Sequence, residues 1–208
     1  LTKSSGSGAF TMSSVYFNNY VTANINTGSF ALNSCAGTNF GGIYLSPSAF
    51  LDFNSGTTYE LGGFLSCSTG DHIRVLGATV NLNTTNVTTP SLFLNTGILN
   101  QNADVVVNTL NQAAGTWRLN LPAAINNYNL TNGEVRGANV IITNFNWVGG
   151  SLNSENINSN TVAIPSGGSL NISGASAKSM SDYSSANGRR LINNGTGTWS
   201  GAPRRDAI

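Results

Sequence analysis

The feature that most narrows the fold of this chain is a loose internal repeat anchored on glycine. "LNTGIL" (Leu94 to Leu99), "NLTNGEV" (Asn129 to Val135) and "NWVGGSL" (Asn146 to Leu152) superpose as an apolar residue, two further residues, Gly, any residue, and a second apolar residue. Short apolar-x-apolar pairs run on both sides, among them Ile73 with Val75, Val105 with Val107, Val140 with Ile142 and Val162 with Ile164. Each pair has the period of two that marks a strand. Counted from pair to pair, the later half repeats about every 20 residues, and such a period with short strands inside it is the signature of a solenoid.

Stacking explains why the repeat drifts so freely. Coils lie about 4.8 Å apart, so only the inward positions and the bends are constrained by the coils above and below. Alternate apolar residues fill the interior, glycines such as Gly97, Gly133, Gly149 and Gly150 permit the corners, and asparagine either takes a left-handed corner or stacks its amide in a ladder. The expected fold is all-β, a right-handed parallel β-helix of about 20 residues per coil, with eight or nine coils forming a rod about 40 Å long. Trp117, Trp147 and Trp199 are expected to stack between coils. The alternative is an antiparallel β-sandwich, also built from short strands and Gly-rich turns. A sandwich gives no reason for one glycine offset to recur three times.

Residues 1–30 are less regular and read as an N-terminal cap or edge-strand segment. Residues 31–201 read as the solenoid, with Ser173 to Arg190 as an insertion loop between coils, and 202–208 as an exposed tail or inter-subunit connection.

Composition restricts the partners. Only 8% of the residues are charged, where about a quarter is usual. Solubility then rests on neutral polar groups, which 31 asparagines and abundant Ser and Thr supply. A net charge of +1 offers no field for nucleic acid or anionic lipid. No apolar run is long enough to insert in a membrane. Arg189, Arg190, Arg204 and Arg205 read as exposed charges near a polar end.

Cys35 and Cys67 lie in similar settings, three and two residues after a Leu and each directly after a Ser. On stacked layers of an oxidised protein they would form a disulfide stabilising by roughly 3 to 4 kcal/mol; the other reading is two buried thiols. Asn-x-Ser/Thr sequons stand at Asn83, Asn86, Asn129, Asn171 and Asn194, and permit glycosylation in a chain so rich in these residues.

Little points to catalysis, and nothing to a cofactor or metal. The acids are scattered, and Asp71 stands beside the only histidine, His72. Stacking would bring Glu134 and Glu155, about one coil apart, near Arg136 and Arg118, giving an outward face able to meet a polysaccharide or simply a salt bridge between coils. The Thr-rich "NTTNVTTP" occurs once, too few times for a regular ice-binding array. Tyr16, Phe17, Tyr20, Tyr44 and Tyr59 with Trp117 and Trp147 serve either as a sugar platform or, more simply, as core.

The run from Phe145, "FNWVGGSLNSENINSNTVAIPSGGSLNISGASAKSM", followed by "RRLINNGTGTWSG", resembles a repeat family of large secreted and cell-surface microbial proteins. In that family Trp-x-Gly-Gly-x-Leu, Ile-Pro-x-Gly-Gly-x-Leu-x-Ile-x-Gly and Leu-x-Asn-x-Gly-x-x-x-Trp-x-Gly recur in tandem and are taken to form a right-handed β-helix. The resemblance implies an extracellular or cell-surface repeat module and carries no catalytic residues. The expectation is a non-enzymatic, self-associating unit of a surface filament, sheath or adhesin stalk. The alternative is a carbohydrate-binding or polysaccharide-cleaving β-helix.

Overall fold

The computed structural model describes residues 1–67, 72–84, 87–88, 91–154, 160–182 and 189–200. These form strands without a helix, and every strand pairing among them is parallel. The fold is a parallel β-solenoid. A sandwich is excluded, because its hairpins require antiparallel neighbours.

Each coil contributes to three stacks. The first face carries ten strands in one ladder, from Ala9–Ser13 and Gly28–Asn33 to Ser169–Ile172 and Thr196–Trp199. The second runs from Gly37–Asn39 and Thr58–Leu61 through Thr116–Leu119 and Glu134–Gly137 to Lys178–Asp182. The third lies in two sections, Thr2–Lys3 to Val87–Thr88, and 106–107 to Arg190–Asn193. The step from coil to coil varies from 17 residues, Asn127 to Asn144, to 29, Thr161 to Arg190.

Alternation supplies the core. Phe30, Leu51, Ile73, Leu92, Leu110, Tyr128, Phe145 and Leu170 occupy one inward column of the first face and are all buried. Burying each such side chain contributes roughly 1.5–3 kcal/mol. Tyr128 lies flat on Phe145 with centroids 5.2 Å apart, and Trp117 meets Tyr128 edge-on at 5.7 Å. Trp117 and Trp147 are buried, whereas Trp199, in the column of Trp147 and Ile172, is 74% exposed in the outermost strand.

The repeated glycines form a ladder at the corner between the first and second faces. Gly97, Gly115, Gly133 and Gly150 follow one another coil by coil, with φ of +85°, +74°, +92° and +84°. A Cβ on Gly133 would stand 2.5 Å from the Gly115 carbonyl oxygen. Both the left-handed backbone and the close approach therefore require glycine. Gly149 lies outside this column, where a Cβ would stand 2.5 Å from the Thr131 oxygen.

Gly115 escapes the sequence pattern because Gln112 stands where Leu94, Leu130 and Trp147 stand in neighbouring coils. That buried amide is fully engaged. Its Nε2 donates to the carbonyls of Gly115 and Glu134, both at 3.0 Å, and its Oε1 accepts from the Tyr128 hydroxyl at 2.5 Å.

Three expectations need correction. Cys35 and Cys67 are buried and form no disulfide. Cys35 follows the left-handed Ser34 at a first-to-second-face corner and donates to the Met12 carbonyl at 3.3 Å, while Cys67 lies on the third face above Leu45. Their similar sequence surroundings hide different positions in the coil, and residues on different faces do not stack. Ser173 to Arg190 is not simply an insertion loop, because Lys178–Asp182 is a strand of the second face in which Met180 continues the column of Leu152. Arg189 is no exposed tail charge: it is buried, and its guanidinium donates to the carbonyls of Asn153 at 2.8 Å, Ala138 at 3.2 Å and Gly137 at 3.3 Å. The column of Gln101 and Leu119 loses its side chain at Gly137, and Arg189 reaches in at that level.

Residues 1–30 join the ladder from Thr2–Lys3 onward; Thr2–Lys3 and Ala9–Ser13 each pair on one flank only among the described residues.

Candidate functional site

Strand alternation places one residue in two on the outside, and on the second face these form a polar strip parallel to the rod axis. Its central column runs from Asn18 and Thr38 to Glu60, Asn81 and Asn100, then to Arg118, Arg136 and Asn153. Arg118, Glu134 and Arg136 are thus brought onto one outward face. Arg136 pairs with Glu134, which also accepts from the Asn153 amide. Glu155 lies outside the described residues. Glu60 and Glu134, the latter one column over, balance Arg118 and Arg136 in formal charge.

Amide ladders tie the strip together. Asn100 donates to Asn81 at 2.6 Å, Asn81 donates to Glu60, and a second line runs from Asn120 through Asn102 to Asn83. The first face carries matching pairs, Asn129 to Asn111 at 2.7 Å and Asn171 to Asn146 at 3.0 Å. These ladders bear on the sequons. At Asn83, Asn129 and Asn171 the Nδ2 that a glycan would occupy donates within a ladder, whereas Asn194 is exposed. Asn86 lies outside the described residues.

Several other ionisable groups are committed elsewhere. Arg74 grips Asp52 with two bonds of 2.6 Å and covers the Phe50 ring at 4.2 Å on the first face. His72 is buried, its Nδ1 at 2.6 Å from the Ala49 carbonyl, and Asp71 lies outside the described residues. Burial lowers Arg189 to about 10 and raises Tyr128 well above the ordinary tyrosine value, with each moderating the other's shift. Burial, with Cys35 adding to it, likewise raises Tyr59. Among the described residues no three His, Cys, Asp or Glu side chains converge on a metal position.

The aromatics divide by depth. Tyr59 and Trp117 are buried, and Phe17 packs edge-on against Phe30 at 5.3 Å. Tyr16, Tyr20 and Phe40 are 82%, 69% and 58% exposed, and Tyr20 stacks on Phe40 at 5.1 Å with 12° between the rings. They border a groove of about 660 Å³ whose lining includes Asn18, Thr38 and Glu60. Around the next corner Tyr44 meets Phe64 at 5.3 Å. Sequence reading missed Phe40 and Phe64. A usable signal was the recurrence of Asn-aromatic at Asn19-Tyr20 and Asn39-Phe40, one coil apart.

A shaft of parallel coils, cross-linked by glycine corners and outward amides, defines a β-solenoid protein. No protein-family model matches the chain, and comparison with curated proteins and with solved structures likewise finds no match.

Proposed function

We propose that this chain is an extracellular, non-enzymatic structural module, the building unit of a surface filament, sheath or adhesin stalk. The observation that carries the reading is the continuity of bonding along the axis. Backbone ladders, stacked glycine corners and amide pairs all join one coil to the next, so an axial load is shared by many parallel bonds. Neutral amides also hold under changes of salt that would screen a charged surface. The carboxylates of Asp52, Glu60 and Glu134 are each engaged by an arginine or by amides, which suits structure better than acid-base chemistry.

Self-association would use the outermost strands. Ala9–Ser13 and Thr196–Trp199 are each paired on one flank among the described residues, and Phe10 and Trp199 lie in core columns yet are 44% and 74% exposed. A further coil stacked on either would bury those rings and complete the ladder. Electron microscopy of the purified chain at high concentration tests this. Filaments with an axial repeat of one rod, roughly 48 Å for ten coils at about 4.8 Å each, are expected. Monodisperse single rods would overturn end-to-end assembly.

A further inference from the structure

We propose that the groove beside Tyr16, Tyr20 and Phe40 binds an uncharged polysaccharide ribbon of the cellulose or chitin type, lying parallel to the rod axis. The chemistry of the groove is two-sided. The 82% exposed Tyr16 ring offers an apolar face, the Tyr20–Phe40 stack offers apolar ring edges, and Asn18, Thr38 and Glu60 in the column between them offer hydrogen-bonding groups. A pyranose chain has the same two-sidedness, with C–H faces for the rings and hydroxyl edges for amides and carboxylates.

Direction and charge narrow the class. Tyr20 and Phe40 belong to successive coils, so their stacked rings run along the axis, and the coil spacing of about 4.8 Å is close to the length of one pyranose unit. The polar floor continues without a break into Asn81 and Asn100. A straight, extended chain follows that path and a coiled one leaves it. Among the described residues Glu60 is the only ionisable carboxylate lining the groove and no arginine or lysine lines it, so an anionic glycan meets repulsion and a neutral one does not. Each Glu60 oxygen accepts one amide, from Asn81 and Asn83, and a carboxylate retains further acceptor capacity for hydroxyls. The volume of about 660 Å³ lies within the range of small-ligand sites.

This inference stands apart from end-to-end assembly, since it uses the side of the rod. The test is calorimetric titration of the intact chain with cellohexaose and chitohexaose, with oligogalacturonate as the anionic control, and affinity electrophoresis through the corresponding soluble polymers. Saturable binding of at least one neutral hexamer is expected, weakened about tenfold by Tyr20→Ala or Phe40→Ala. Both rings are largely exposed, so neither variant should change the circular dichroism spectrum. Ile141→Ser, on the outward side of the third face, should leave binding unchanged. Absence of binding to both neutral hexamers, binding of the anionic control alone, or equal binding by the two aromatic variants would overturn the proposal.

Discussion

The coils between residues 91 and 154 and those before residue 68 obey one ladder rule but differ at their corners and on their surfaces. In the later set the steps are short, 17 residues from Asn127 to Asn144 and 18 from Asn111 to Asn129, and glycine occupies every turn from the first face to the second. In the earlier set the steps lengthen to 20 at Asn18–Thr38 and 21 at Asn33–Asn54, and Ser14 and Ser34 take the left-handed corner positions, with φ of 55° and 50°. Inward columns are equally well buried in both. The outward surface differs more: asparagine columns clothe the later coils, while exposed stacked rings and the groove mark the earlier ones. Regular spacing therefore builds the shaft, and the irregular coils carry surface chemistry because outward positions answer to solvent rather than to the next coil.

The largest expected effect is at the regular corner. Gly133→Ala meets both a left-handed φ and a backbone oxygen at 2.5 Å, and should cost about 3 kcal/mol, read as a shift of the urea midpoint. Gly56→Ala in the earlier coils has φ +43° but open space around the new methyl. It should cost only about 1 kcal/mol, and equal costs would show that packing between coils is not what demands glycine. Gln112→Leu restores the apolar column but strips the Gly115 and Glu134 carbonyls and the Tyr128 hydroxyl of a partner. A loss of about 2 kcal/mol is expected, with part recovered in Gln112→Leu combined with Tyr128→Phe.

Both regions should also respond to alkaline pH. Tyr59 and Tyr128 are held neutral by burial, so the stability they contribute is present below their ordinary pKa of about 10 and is lost as pH rises beyond it. Arg189 acts in the opposite sense. Its folded pKa of about 10 lies below its ordinary value, so the unfolded chain holds the extra proton and stability rises with pH through that window. Arg189 therefore offsets part of the loss caused by the two tyrosines. Tyr59→Phe and Tyr128→Phe should each flatten the fall in urea midpoint above pH 10. The smallest expected effect is that of reductant: with Cys35 and Cys67 on different faces, adding a thiol should leave the thermal midpoint unchanged, and a drop would reveal a disulfide. Expression through a glycosylating secretory pathway, followed by peptide mapping, should find glycan at Asn194 and none at Asn83, Asn129 or Asn171.

Much of the fold was legible because its determinants are local and repeated. Alternating apolar pairs set the inward faces, and the glycine offset shared by "LNTGIL", "NLTNGEV" and "NWVGGSL" marks a corner whose backbone sign no L side chain accepts without strain. Those signals specify parallel coils of about 20 residues, and the amide ladders follow once asparagines recur at that period. Register, however, is a relation between coils, and short variations in step length accumulate along the chain. Sequence alone therefore paired Cys35 with Cys67, passed over Gly115 because Gln112 interrupts its column, and read Arg189 as solvated although a gap beside Gly137 takes it in. The groove lies in the same category. In the sequence Tyr16 and Tyr20 read either as a sugar platform or as core and Phe40 went unread, and only the winding of the coils decided which rings point inward to pack and which stand in solvent beside Asn18, Thr38 and Glu60.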